Sequence, residues 1–340
     1  MVIANRFDSI KLVPSNPRRS TKLAESSPMH LVPEGNQFEM PIAIFVFNRP
    51  TETARVFARI RAVRPKTLRV ICDYAREGKS GEGAAVAEVL QVFQGIDWPC
   101  DVQYNIAERN LGCRMRLQSG LDWLFDEFPE VIILEDDCLP EPTFFDFMRD
   151  KLHEFRENPN VGLVSGTNFQ PLPRSRSTGH YFSELPHIWG WGSWARVWKN
   201  YEPDAASWAT EDQATLLRRV FHYRIYRKAW QEILDNINVV NTWDYQLCFT
   251  LWRHKQLCVV PKVNLVTNIG LNEGGTHTRA ASAHFQNRTG VYVRPELSRR
   301  SILQRKSRIR DFLELTVFRV HAARQMKMSE LIQKALRLHS

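Results

Sequence analysis

No stretch of this sequence is both apolar enough and long enough to cross a bilayer. Its longest apolar runs, Pro41 to Phe47 and Val131 to Leu134, fall far short of the roughly 18 residues a span requires. The opening residues, Met1-Val2-Ile3-Ala4-Asn5-Arg6-Phe7-Asp8, lack the continuous apolar core of a secretory signal, so a cytoplasmic location is expected. Cysteine is sparse and without pattern. Cys72, Cys100, Cys113, Cys138, Cys248 and Cys258 form no Cys-x-x-Cys pair and no zinc-ligand spacing, which excludes a disulfide framework and predicts reduced thiols. There is no internal repeat, which argues against solenoids and propellers.

Net basic charge is also missing from most of the chain. The 340 residues carry a net charge of +9, but Arg279 to Ser340 holds fourteen Lys and Arg against four Asp and Glu, leaving the first 278 residues at −1. That distribution, with no recognisable nucleic-acid-binding motif, argues against a nucleic-acid partner. In the tail, Arg299, Arg300, Arg305, Lys306, Arg308 and Arg310 precede Leu331, Ile332, Ala335, Leu336 and Leu338, which recur at helical spacing beside Lys334 and Arg337. Two roles fit such a helix. It could rest peripherally on an anionic membrane, at the inner face of the plasma membrane, or dock on the protein with its basic face solvated.

What is present is a regular alternation. Residues 1–38 have no apolar period and are expected to form a disordered N-terminal arm. From Pro41 onward, strand 41–47 leads into a helix from about Glu52 with Phe57, Ile60 and Val63 on one face. Then come strand Leu68 to Cys72, a helix carrying Ala85, Val86, Val89, Leu90 and Phe93, and strand Cys100 to Tyr104. A helix bearing Leu117, Leu121, Leu124, Phe125 and Phe128 precedes the strand Val131 to Leu134. The pattern predicts an α/β fold, a Rossmann-like, mostly parallel sheet flanked by helices. The second half is less regular: helices are expected near Gln213 to Asp235 and Thr242 to His254, and a strand over Leu257 to Val260.

Ligands of such sheets bind beyond the carboxyl ends of the strands. Here those ends read Asn48-Arg49-Pro50, Asp73-Tyr74 and Glu135-Asp136-Asp137. Three adjacent carboxylates repel one another, and at a buried strand end they call for a cation such as Mg²⁺ or Mn²⁺, which takes oxygen ligands and leaves positions for substrate phosphates. The alternative is a solvated strand end introducing the helix after Pro140 and Pro142, with Glu141 at its N-terminus. Arg49 has a similar alternative, as a solvated residue in a turn before a helix capped by Thr51. Asp244 could be an acid in the first turn of a helix capped by Asn241. Trp189, Trp191 and Trp194 could stack on sugar faces or fill the core. His187 is a looser candidate.

The run Ile132-Ile133-Leu134-Glu135-Asp136-Asp137-Cys138-Leu139, followed by Phe144-Phe145, resembles the metal motif of GT-A glycosyltransferases. The similarity extends in particular to the N-acetylglucosaminyltransferases that initiate complex N-glycans, and to their bacterial relatives. Phe47-Asn48-Arg49-Pro50, Asp73, Asn110-Leu111-Gly112, Gly190-Trp191-Gly192-Ser193-Trp194 and Asn241-Thr242-Trp243-Asp244-Tyr245 follow in that family's order, over roughly residues 40 to 280.

The resemblance implies a GT-A domain over 39–280 with a basic extension over 281–340. It also implies a metal-dependent inverting transfer of a sugar from a nucleotide-diphosphate donor, most simply a UDP-sugar, to a glycan or lipid-linked acceptor. In those terms Asp137 holds Mn²⁺ or Mg²⁺ and Asp244 is the catalytic base. Asn48, Arg49, Asp73, Asn110, Gly112, Glu135 and Asp136 bind the nucleotide sugar. Apart from the resemblance, the aromatic faces of Trp189, Trp191 and Trp194 make them candidate acceptor residues, and Glu273 and His277 lie in a glycine-bearing loop that could close over a bound donor, with His277 a candidate metal or phosphate contact. A sugar-phosphate nucleotidyltransferase would share the nucleotide-binding sheet and the acidic site, and is the rival enzymatic reading. A basic nucleic-acid-binding protein is the non-enzymatic one.

Overall fold

The computed structural model describes residues 37–170, 176–239, 241–270 and 289–293. The expected N-terminal arm up to residue 36, the loop residues Glu273 and His277, and the basic tail beyond residue 293 lie outside the described residues. In chain order the described part forms β1 (Ile42–Val46), α1 (Pro50–Val63), β2 (Thr67–Cys72), α2 (Glu82–Val92), β3 (Asp101–Ile106), α3 (Gly112–Glu127) and β4 (Glu130–Glu135). Next come β5 (Cys138–Pro140), α4 (Phe144–Phe155), β6 (Val161–Ser165), β7 (Arg176–Ser177), β8 (His180–Ser183), β9 (Trp191–Trp194) and α5 (Ala195–Trp198). Last are α6 (Gln213–Val220), α7 (Arg224–Asp235), α8 (Asp244–Arg253), β10 (Leu257–Pro261), β11 (Val266–Asn268) and β12 (Val291–Tyr292).

Strands that read as unbroken apolar runs should be buried on both faces, and β1 and β6 are buried at every residue. They belong to an eight-stranded sheet of order β3-β2-β1-β4-β9-β6-β10-β8. β1 pairs in parallel with β2 and β4, β2 with β3, and β6 with β10, while β9 and β8 run antiparallel to their neighbours. The expected α/β fold with a mostly parallel sheet flanked by helices is therefore the fold observed. From β1 the chain steps outward through β2 to β3, then returns to place β4 on the other side of β1. That reversal opens a crevice at the carboxyl ends of β1 and β4.

The sheet holds one strand that the alternation does not announce. β9 is wedged between β4 and β6, with Trp191 opposite both Ile133 and Ser165. A side chain at Gly192 would meet Leu152 Cδ1 at 2.9 Å and Met148 Cε at 3.0 Å, so glycine there lets α4 lie close on the sheet. Trp191 and Trp194 are 1% and 2% exposed. This corrects their assignment as acceptor residues, because a sugar face cannot reach a ring enclosed in the core. Trp189 keeps some exposed surface and packs edge-on against Phe169.

The body extends past its expected limits at both ends. Phe38 is buried and meets Phe145 edge-on, and Tyr292 is buried against Phe147. A second apolar cluster, including Trp208, Phe221, Phe249 and Trp252, holds α6, α7 and α8 together. Among the described residues no helix is long and apolar enough to cross a membrane.

His180 makes the fold sensitive to acid. Its ring lies edge-on to Phe155 and Phe182, at 5.5 and 5.2 Å, and its Nε2 is buried without a hydrogen-bond partner. Burial, reinforced by Lys151 and Lys262, pushes its pKa down to about 3 from an ordinary 6.5. Between those values the unfolded chain binds a proton that the folded chain does not, so stability rises with pH through the window and this contribution is complete above it. We expect the unfolding free energy to fall by up to about 1.4 kcal/mol per pH unit as the pH drops below about 6.5, and His180→Phe to remove that share. Urea denaturation at neutral and mildly acidic pH measures the slope. An unchanged slope in the variant would show that His180 is not its source.

Candidate active site

The loops leaving β1 and β4 meet at the crevice. Pro50 occupies the first turn of α1, where its missing N–H costs nothing, and this places Arg49 at the helix N-cap with its side chain turned toward β4. Arg49 Nη1 donates to Asp137 Oδ2 at 2.7 Å and to Asp136 Oδ1 at 3.4 Å, and the backbone N–H of Phe47 donates to Asp136 Oδ2 at 3.3 Å. Burial pulls the Arg49 pKa down, but the charges of Asp136 and Asp137 outweigh it and hold the guanidinium above its usual value. Two alternatives left open by the sequence are thereby corrected: Arg49 is not solvated, and Thr51 is not the cap. Asn48 turns the other way and donates to Glu82 Oε1 at 2.9 Å. Glu82 is held down to about 2, chiefly by its hydrogen bond from Arg76.

The acidic run is crowded rather than solvated. Asp136 is 8% exposed, the chain continues directly into β5, and Asp146 rather than Glu141 is the acid in the first turn of α4. Burial, then the charges of Asp137, Asp136 and Asp244, push Glu135 up to about 8. Burial and Asp137 push Asp136 up to about 7, against the opposing pull of Arg49. One guanidinium thus pairs with two of the three acids.

Asp137 is also held from behind. Asn268 Nδ2 donates to its Oδ1 at 3.2 Å, and the N–H of Ile269 donates to its carbonyl at 2.8 Å. A side chain at Gly270 would collide with Asp137 and approach Arg49 Nη1 to 2.8 Å, so glycine lets the segment after β11 pass this closely. Asn268 was not among the sequence candidates. It lies 131 residues from Asp137, and no local spacing connects them.

Asp73, Asn110 and Gly112 converge, though on one another. Asp73 is 6% exposed. Its Oδ1 accepts from the N–H groups of Tyr74 and Leu111, both at 2.9 Å, and its Oδ2 accepts from the Gly112 N–H at 2.9 Å and from Asn110 Nδ2 at 3.2 Å. A carboxylate has about four acceptor positions, and here the chain supplies a donor for each. In this geometry Asp73 anchors the N-terminus of α3 to the end of β2. Arg116, also missed from the sequence, strengthens the joint by donating to the Cys72 carbonyl at 3.2 Å and to Asn105 Oδ1 at 2.8 Å.

Asp244 is the first residue of α8, and Trp243, not Asn241, occupies the cap position, which corrects the expected cap. Its Oδ1 accepts a hydrogen bond from the Thr242 hydroxyl. Tyr201 donates to the Trp243 carbonyl at 3.1 Å and fixes where α8 begins. Trp243 also stacks on Trp191, with centroids 5.6 Å apart. Cys113 lies where these elements face one another. Its side chain keeps exposed surface yet is crowded by the surrounding chain, and that crowding, then the charges of Glu135, Asp244 and Asp73, push its thiol up. Acids from β2, β4 and α8 therefore act on one point at the mouth. His187 is buried edge-on to Phe169, 4.8 Å between ring centres.

Among the described residues no group of three or more His, Cys, Asp or Glu side chains forms a ready cation cage. Asp136 and Asp137 instead offer adjacent hard oxygens, half neutralised by Arg49. That set fits Mg²⁺ or Mn²⁺, which bind through one or two carboxylates with phosphates and waters completing the shell.

No protein-family model matches the chain, and no curated protein does. Among solved structures, mouse xyloside xylosyltransferase 1 is 12% identical, covering 66% of this chain and 85% of its own, with a TM-score of 0.33. HddC from Yersinia pseudotuberculosis is 8% identical, covering 48% and 80%, with a TM-score of 0.29. A UDP-glucose pyrophosphorylase complexed with UDP-glucose is 9% identical, covering 47% and 78%, with a TM-score of 0.28. Similarity at this level assigns neither a family nor a substrate.

Proposed function

We propose that the protein is a metal-dependent, inverting glycosyltransferase of the GT-A type. It would transfer a sugar from a nucleotide-diphosphate donor, with UDP-sugars the first class to try, to a hydroxyl of a glycan or lipid-linked acceptor. The observation that carries the reading is the acidic end of β4 at the reversal point of the sheet, with Asp244 acting on the same mouth from α8.

In this reading the donor diphosphate lies over the carboxyl ends of β1 and β4, within reach of Arg49. Asp136 and Asp137 would hold a divalent cation, which would supply Lewis-acid neutralisation of charge developing on the leaving diphosphate. Asp244 accepts the proton of the acceptor hydroxyl as that oxygen bonds to the anomeric carbon. The bond from that carbon to the diphosphate oxygen breaks, and the nucleoside diphosphate leaves on the opposite face. Asp73, Asn110 and Gly112 keep the start of α3 in place at the edge of this site.

A panel of nucleotide sugars, incubated with the protein, Mn²⁺ and simple glycosides, tests reaction and donor class together. We expect release of a nucleoside diphosphate from one donor, abolished by chelator. Release of pyrophosphate from a nucleoside triphosphate and a sugar phosphate would assign nucleotidyl transfer instead. No turnover of any donor would count against both.

A further inference from the structure

Arg49 and a divalent cation seek the same carboxylate. The guanidinium lies 2.7 Å from Asp137 Oδ2, and this ion pair is largely shielded, with side-chain exposures of 23% and 17%. It is also enclosed from the far side, where the position of a Gly270 side chain would fall 2.8 Å from Arg49 Nη1. With Asn268 on Oδ1 and Arg49 on Oδ2, both oxygens of Asp137 are engaged by the chain itself. A metal arriving alone must displace a tethered cation whose local concentration is set by a short side chain and is therefore high.

We propose that Arg49 makes metal binding depend on the nucleotide: it occupies Asp137 in the empty protein, and a diphosphate draws it away. The inference rests on the proposed donor site. An arginine fork binds a phosphate through two parallel hydrogen bonds, so a diphosphate over β1 offers Arg49 a better partner than the two carboxylates that now share its single Nη1, at 2.7 Å and 3.4 Å. Its departure frees Asp137 Oδ2 as the diphosphate brings its own oxygens to the cation. Metal and nucleotide then raise one another's affinity by the same factor, as linkage requires. The empty protein then holds a divalent ion only weakly in its crevice, and a nucleotide without metal is met by the arginine.

Mn²⁺ titration of the nucleotide-free protein, followed by the electron paramagnetic resonance of free Mn²⁺ in mildly alkaline buffer, tests this. We expect Arg49→Gln to bind Mn²⁺ about tenfold more tightly than the wild type, near the lower end of ordinary site coupling. Arg49→Lys keeps a competing cation and is expected to stay near the wild type. With saturating UDP the wild type should gain more Mn²⁺ affinity than Arg49→Gln does. Thermal melts identify folded variants, and Arg49→Met, which keeps an unbranched apolar stem, replaces Arg49→Gln if that variant does not fold. Equal or weaker Mn²⁺ binding by the folded, uncharged variant without nucleotide overturns the proposal. Absence of Mn²⁺ binding in every protein, even with UDP, would instead sink the metal-dependent donor site on which it rests.

Discussion

Asp244→Asn is expected to lower the rate of sugar transfer about a thousandfold while leaving donor binding intact. The amide has the shape of the carboxylate and an oxygen to accept the Thr242 hydroxyl, so the start of α8 should not move. What disappears is the ability to take a proton from the acceptor. A positioned general base contributes roughly 10²- to 10⁴-fold, and the middle of that range corresponds to about 4 kcal/mol of barrier. Acceptor-dependent nucleoside diphosphate release gives the rate, and UDP displacement of a fluorescent nucleotide gives donor affinity. A variant with more than a tenth of the wild-type rate would remove Asp244 from the role of base. A parallel loss of rate and of donor binding would point to collapse of the loop before α8.

Asp137→Ala is expected to reduce transfer by at least about a thousandfold and to abolish its response to Mn²⁺, since the cation then loses the carboxylate that fixes it against the diphosphate. Stability should move differently. The charge of Asp137 raises the cost of ionising Glu135 and Asp136, so removing it relieves both. Arg49 still has Asp136 as a partner. The melting temperature of the metal-free variant is therefore expected to equal or exceed that of the wild type, as when an active site holds charges against the preference of the fold. Retained Mn²⁺-dependent turnover would transfer the metal role to another residue. A large fall in melting temperature would mean that Asp137 serves the fold through Asn268 and Ile269.

The parallel half of the sheet was legible because its signals are local. Buried strands read as apolar runs, the helices between them show a 3.6-residue period, and β1 to β4 appear within about two residues of their expected limits. The polar residues at the ends of β1, β2 and β4 were legible for the same reason. What escaped depends on partners distant in the chain. β9 is a four-residue strand of tryptophan, glycine and serine whose burial comes from β4, β6 and α4. The helix expected over Gln213 to Asp235 is two helices, because Phe221 leaves the helical conformation to bury its ring beside Trp252. The pairing of Arg49 with Asp137, and of Asn268 with the other side of the same carboxylate, spans 88 and 131 residues. Asp73 was recognisable as an important acid, but its four donors from the turn and the head of α3 could be counted only in three dimensions.

The late arrival of β9 also bears on synthesis. A ribosome that has released the chain only as far as Ser165 has already delivered β4 and β6, yet the strand that joins them begins at Trp191. Until then two apolar strands present unpaired backbone edges, the feature that leads nascent chains to pair with one another. Truncations ending before Trp194 are thus prone to form inclusion bodies even though they contain every acid of the β4 cluster, and chaperone demand should peak while that stretch is being translated.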